Sequence, residues 1–168
     1  MASLNAIHRR VLETLQADPT LKGMVESQSG VFRLGRLPGR AETQNTLTLV
    51  YVTSPATPIH ARQTLGGPPA DGVSPAESVT YIVHVVAVTR PQGSPYGAQE
   101  AAYDFAEAII GALSRNLVLH DAEGNDPLSQ DITVNMVDRM EEKIGTDSEA
   151  IGVIAYITTI VEHMSRTP

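Results

Sequence analysis

The chain reads as an α+β protein: a mainly antiparallel sheet, two helices packed on one of its faces, and a long loop or hairpin arm projecting from it. Three observations predict this. β-Branched, apolar runs follow one another without the helical crossovers that parallel strands require. Two stretches carry apolar residues at helical spacing. The 168 residues are 42% hydrophobic, enough for one real core in a single domain, 1–168. At this length folding removes about 70% of the accessible surface of the unfolded chain. Aromatics make up only 4%, so Ile, Val, Leu and Ala must build the core.

Ser3 is a good N-cap, and Leu4, Ile7, Val11, Leu12 and Leu15 follow it at helical spacing, with Arg9, Arg10, Glu13 and Gln16 left for solvent. Asp18-Pro19 ends that helix, which has about four turns. "SGVFRLGRLPGR" then predicts a strand over Val31 to Leu34 running into a Gly/Pro turn, and "NTLTLVYV" a second strand, apolar on both faces. "SVTYIVHVVAVTR" is strongly β-branched and predicts a strand from Val79 to Thr89. Ser94 and Pro95 open the second helix, whose inward stripe is Ala98, Ala102, Phe105, Ile109 and Leu113, with Gln99, Glu100, Asp104 and Glu107 outside. After a polar loop, strands at about Ile132 to Glu141 and Ala150 to Glu162 flank "KIGTDSE", which has hairpin-turn chemistry.

Between the second and third strands lies "TSPATPIHARQTLGGPPADGVSPAES", Thr53 to Ser78: 26 residues with five prolines and three glycines and no hydrophobic period. Inter-strand loops of this length are uncommon in compact domains and are usually functional or disordered. Extended as an arm, it would reach roughly 40 Å. Its "PIHARQTL" mixes Ile59 and Leu65 with His60 and Arg62, which suits docking on a partner, and these four residues are the candidate contact set.

Chemistry narrows the function classes further. The absence of cysteine excludes disulfides, thiolate catalysis and Cys-ligated zinc. "GRLPGR" lacks the lysine, spacing and following helix of a phosphate loop. In "DAEGNDPLSQDI", Asp126 occupies the place of the calcium-loop glycine and Ile132 that of its bidentate glutamate. No two of the five histidines have helix-face metal spacing, and Glu141 and Glu142, as strand neighbours, point to opposite faces. No Ser-His-Asp arrangement is visible in local context. The expectation is a protein that is not an enzyme and uses no cofactor or metal. The N-terminus lacks a signal-peptide core, and no run reaches the 18 apolar residues of a membrane span, so a soluble, non-exported chain without membrane partners is expected.

Charge is uneven. Residues 1–62 hold seven Lys/Arg against four Asp/Glu, net +3; residues 63–168 hold five against fifteen, net −10. Such asymmetry suits copies that meet through complementary faces. Arg33, Arg36 and Arg40 concentrate basic charge in one turn.

The element order resembles that of the tail terminator and tail-completion proteins of tailed viruses, from "SLNAIHRRVLETLQADPTLKG" through "YGAQEAAYDFAEAIIGALSRN" to "IGVIAYITTIVEHM". That resemblance implies a homohexameric ring in the virion. The ring would be assembled in the host cytoplasm, cap the tail tube, join it to a neck or head-completion protein, and let DNA pass non-specifically through its lumen. Under it, Arg33, Arg36 and Arg40 face either the lumen or a subunit interface. The alternatives are another neck or tail subunit, such as a head-completion or tail-tube protein, and a small enzyme whose Pro/Gly-rich excursion is a lid.

Overall fold

The computed structural model describes residues 3–35, 48–65, 76–89, 95–116, 119–120, 131–139 and 149–161. Among these residues, three helices, α1 (Leu4–Ala17), α2 (Pro19–Ser27) and α3 (Pro95–Ser114), accompany six strands: β1 (Val31–Leu34), β2 (Thr48–Thr53), β3 (Ile59–Leu65), β4 (Ala76–Thr89), β5 (Asp131–Arg139) and β6 (Glu149–Val161). The sheet runs β1-β2-β4-β6-β5, with β3 also paired to β4. All pairs are antiparallel except β1 with β2, which is parallel. The α+β expectation stands, with a third helix and one parallel pair added. Ser94 and the segments 121–130 and 140–148, Glu141 and Glu142 included, lie outside the described residues.

One helix boundary explains the extra helix. Asp18-Pro19 does end α1, but it also starts α2. The Asp18 carboxylate accepts hydrogen bonds from the backbone N–H groups of Thr20 (3.1 Å) and Leu21 (3.0 Å), and Pro19 fills the first helical position, where a missing N–H is harmless. The buried Asp18 also pairs with Arg115 at the end of α3. Gly111 leaves that arginine its path, since a Cβ there would lie 3.3 Å from the guanidinium. Burial pushes the Asp18 pKa up, but the Leu21 N–H, Arg115 and the Thr20 N–H outweigh it and hold the carboxyl below its usual range. α2 ends on Ser29 at φ 54°, with Ser29 N–H on Glu26 O and Gly30 N–H on Val25 O, so a serine occupies the left-handed position glycine usually takes.

The core lies between the helices and one sheet face. Ile7, Val11, Leu12 and Leu15 of α1 and Ala102, Phe105, Ile109 and Leu113 of α3 are buried in one cluster with Val83, Val85 and Ala87 of β4 and Ile151, Val153, Ala155 and Ile157 of β6. Odd-numbered β4 residues face the helices because side chains alternate along a strand. The opposite face has its own buried cluster, Leu49, Tyr51, Val86 and Val88, which accounts for the two-sided apolar pattern of β2.

Candidate assembly interface

β4 is long enough to serve two partners on one edge. Its residues 84–89 pair with β2 and its residues 76–81 pair with β3, while β6 runs beside it from 77 to 89. Six β4 residues therefore carry the sheet about 20 Å past the end of β2. The Thr53–Ser78 excursion, read from sequence as a loop or hairpin arm without period, contains β3, an ordered edge strand. β3 borders the same side of the sheet as β1, because β1 covers β2 and β3 continues along β4 beyond it.

The connection between β2 and β3, Ser54 to Pro58, is pinned at the point where β4 changes partner. Ile82 N–H donates to Pro58 O at 2.7 Å, and the Ser54 hydroxyl donates to Ile82 O at 3.3 Å. His8 of α1 reaches Ser54 Oγ with Nε2 at 2.5 Å. With the serine proton on Ile82 O, His8 is the donor to Ser54, so it cannot at the same time remove that proton as a general base. Burial pushes the His8 pKa down and favours the neutral ring. The pair joins positions 46 residues apart and is invisible to local sequence context. It is a tie between helix and strand connection.

A register shift between Ile59 and Ala61 makes His60 the extra residue of a β-bulge. The bulge sorts the predicted contact residues onto two faces. Ile59 and Arg62 stand opposite Tyr81 and Val79, on the helix side; His60 lies on the other side, edge-on to Tyr156 of β6 with ring centroids 4.7 Å apart. Ile59, His60 and Arg62 are all exposed. Arg62 holds Glu77 at 2.8 Å. Leu65 closes the strand opposite Ala76, and its side chain lies outside the described residues. Arg33 is exposed on β1, between the exposed Val31 and Leu34; Arg36 and Arg40 lie outside the described residues. The structure thus brings Ile59, His60 and Arg62 onto one short strand and sets Arg33 on the same sheet border. Gly35, at φ 100°, ends β1 and donates to Val52 O at 2.9 Å, a backbone turn that favours glycine.

Among the described residues, no three His, Asp or Glu side chains gather as a metal site, and no helix is long and apolar enough to cross a membrane. No protein-family model matches the chain, and no curated protein matches it. Among solved structures, a chain of "Virion of native gene transfer agent (GTA) particle" is similar at 17% identity, with 94% of this chain and 96% of that chain covered and a TM-score of 0.47.

Proposed function

We propose that this chain is a non-enzymatic structural subunit of a virion, a tail terminator whose copies form a hexameric ring that caps the tail tube and joins it to the neck. One observation carries the reading: β3, within the excursion, forms a sheet border that shows Ile59, His60 and Arg62 to the outside. A lid over a reaction centre would turn such side chains inward. An exposed border that mixes apolar and cationic groups is a surface for another protein. The tail-tube protein is the partner on one side of the ring and the neck or head-completion protein on the other, with DNA passing through the lumen. A terminator must match the last tube ring on one face and offer a different surface on the other, so that head-to-tail growth stops.

The experiment is the mass of the purified protein across a concentration series, with negative-stain images of the same samples, alone and with purified tail tubes. Closed rings, free or seated on tube ends, are expected. A protein that stays monomeric at every concentration and leaves tube ends bare would overturn the proposal.

A further inference from the structure

Among the described residues, β3 pairs with β4 and with no other strand. Five consecutive residues, Ile59 to Gln63, are exposed, so this part of β3 buries neither face. The direction of its backbone groups follows from β4. Ile82 gives its N–H to Pro58 O at 2.7 Å and accepts the Ser54 hydroxyl on its C=O at 3.3 Å, so both groups point toward β3 and the connection before it. That direction alternates along a strand, and β4 runs beside β6 without a register break. Thr80, Ser78 and Ala76 therefore point the same way as Ile82 and bond Ala61, Gln63 and Leu65. Gly35 N–H on Val52 O at 2.9 Å fits the same phase, because Val52 stands opposite Val85 and turns its C=O away from β4. Arg62 and Thr64, opposite Val79 and Glu77, must then turn their N–H and C=O groups outward, to the border of the sheet.

A row of outward N–H and C=O groups is a template for another strand. Beyond the bulge at His60 the usual protections of an edge are missing. Ala61 to Leu65 contain no lysine and no proline, and their one charged residue, Arg62, is engaged by Glu77 of the same copy at 2.8 Å.

We propose that β3 takes β3 of a second copy as its antiparallel neighbour, the two related by a two-fold axis at Gln63. This deepens the reading that β3 is a docking border, and it names strand addition as the contact. The occupant is a second copy because an edge with outward groups two residues apart is its own complement: Arg62 exchanges both backbone bonds with Thr64 of the second copy, and Thr64 does the same with Arg62 of the second copy. An axis at Arg62 would set two arginines directly opposite, which repulsion disfavours. An axis at Thr64 would set Arg62 opposite position 66, past the end of the strand. β1 leaves room for the incoming strand. It stops level with Val85, whereas the second β3 reaches only to the level of Thr80, about 16 Å short along β4. A two-fold contact joins copies in pairs and leaves ring closure to other surfaces.

The axis makes the two Gln63 residues a non-hydrogen-bonded pair with Cα atoms about 4.5 Å apart, within disulfide reach. Ala61, exposed on the same face, is held about 13 Å from its counterpart. The chain has no cysteine, so an introduced thiol reports without background. Gln63→Cys and Ala61→Cys proteins are oxidised mildly at equal concentration. The expected result is about ten-fold more disulfide-linked dimer from Gln63→Cys, since docking raises the local thiol concentration at that position alone. Adding Thr64→Pro to Gln63→Cys should bring the yield down to that of Ala61→Cys, because it removes an N–H that β4 does not use and proline is accepted on such an edge. Equal yields from Gln63→Cys and Ala61→Cys overturn the pairing, as does cross-linking that survives the proline. If rings still cap tube ends when the yields are equal, only this pairing is lost and the ring proposal stands. A dominant Gln63→Cys dimer beside bare tube ends sustains the pairing and refutes the ring.

Discussion

Replacing Asp18 by alanine should destabilise the fold by about 2 kcal/mol. Two parts make up that figure. Losing the N-cap acceptor for Thr20 and Leu21 N–H costs about 1 kcal/mol, the usual effect of a cap deletion. The ion pair adds about another 1 kcal/mol: the Asp18 side chain is 5% exposed, but Arg115 is 60% exposed, so solvent screening reduces what a buried pair would contribute. For a chain of this length that is a fall in Tm of roughly 6 °C. Asp18→Asn keeps an oxygen to cap α2 and loses only the charge, so it should fall near the midpoint. Urea unfolding of the three proteins at neutral pH measures both steps. The pH series adds a signed check. Because the folded pKa of Asp18 is lowered, its contribution is complete above the unfolded value of about 3.9 and disappears as pH falls through the folded pKa. The gap between wild type and Asp18→Asn should therefore close in acid. A loss under about 0.5 kcal/mol for Asp18→Ala, or an Asn variant as weak as the Ala variant, would refute the assignment.

Three further outcomes follow from the same geometry. Ser29→Gly should raise stability by about 1 kcal/mol in urea unfolding, by relieving a left-handed serine at the end of α2. His8→Gln should lose less stability than wild type between about pH 7 and 5: the lowered folded pKa of His8 makes its neutral form the native one, so the wild type weakens as pH falls below the unfolded value of about 6.5, whereas glutamine does not titrate. Ile59→Asp should change unfolding stability by no more than about 0.5 kcal/mol, because the side chain is already exposed, yet reduce oligomer formation measured by light scattering.

Much of the fold was legible in the sequence. The α1 stripe of Ile7, Val11, Leu12 and Leu15 and the α3 stripe of Ala102, Phe105, Ile109 and Leu113 are buried as their spacing predicts, and β1 spans Val31 to Leu34 as expected. Periodicity works there because one face of each element meets a continuous core. α2 was hidden by the double use of Asp18-Pro19, although Leu21 and Val25 at helical spacing behind a capping aspartate carry its signal. β3 was hidden for a different reason: at an edge, with a bulge at His60, neither of its faces is fully buried, so no alternation develops. The parallel pairing of β1 with β2 is a matter of topology: local periodicity shows which face of a strand is buried, not which neighbour the strand finds. At the candidate interface, composition singled out Ile59, His60, Arg62 and Leu65, all of which fall on β3. It could not place Arg33 on the same border, which depends on contacts between distant segments.

The most direct test of the account is hydrogen exchange compared between isolated subunits and assembled particles. Slower exchange is expected in assembled protein at residues 59–63, with the buried strands β4 and β6 unchanged. Assembly that leaves that segment exchanging as in the isolated subunit, and protects another surface instead, would contradict it.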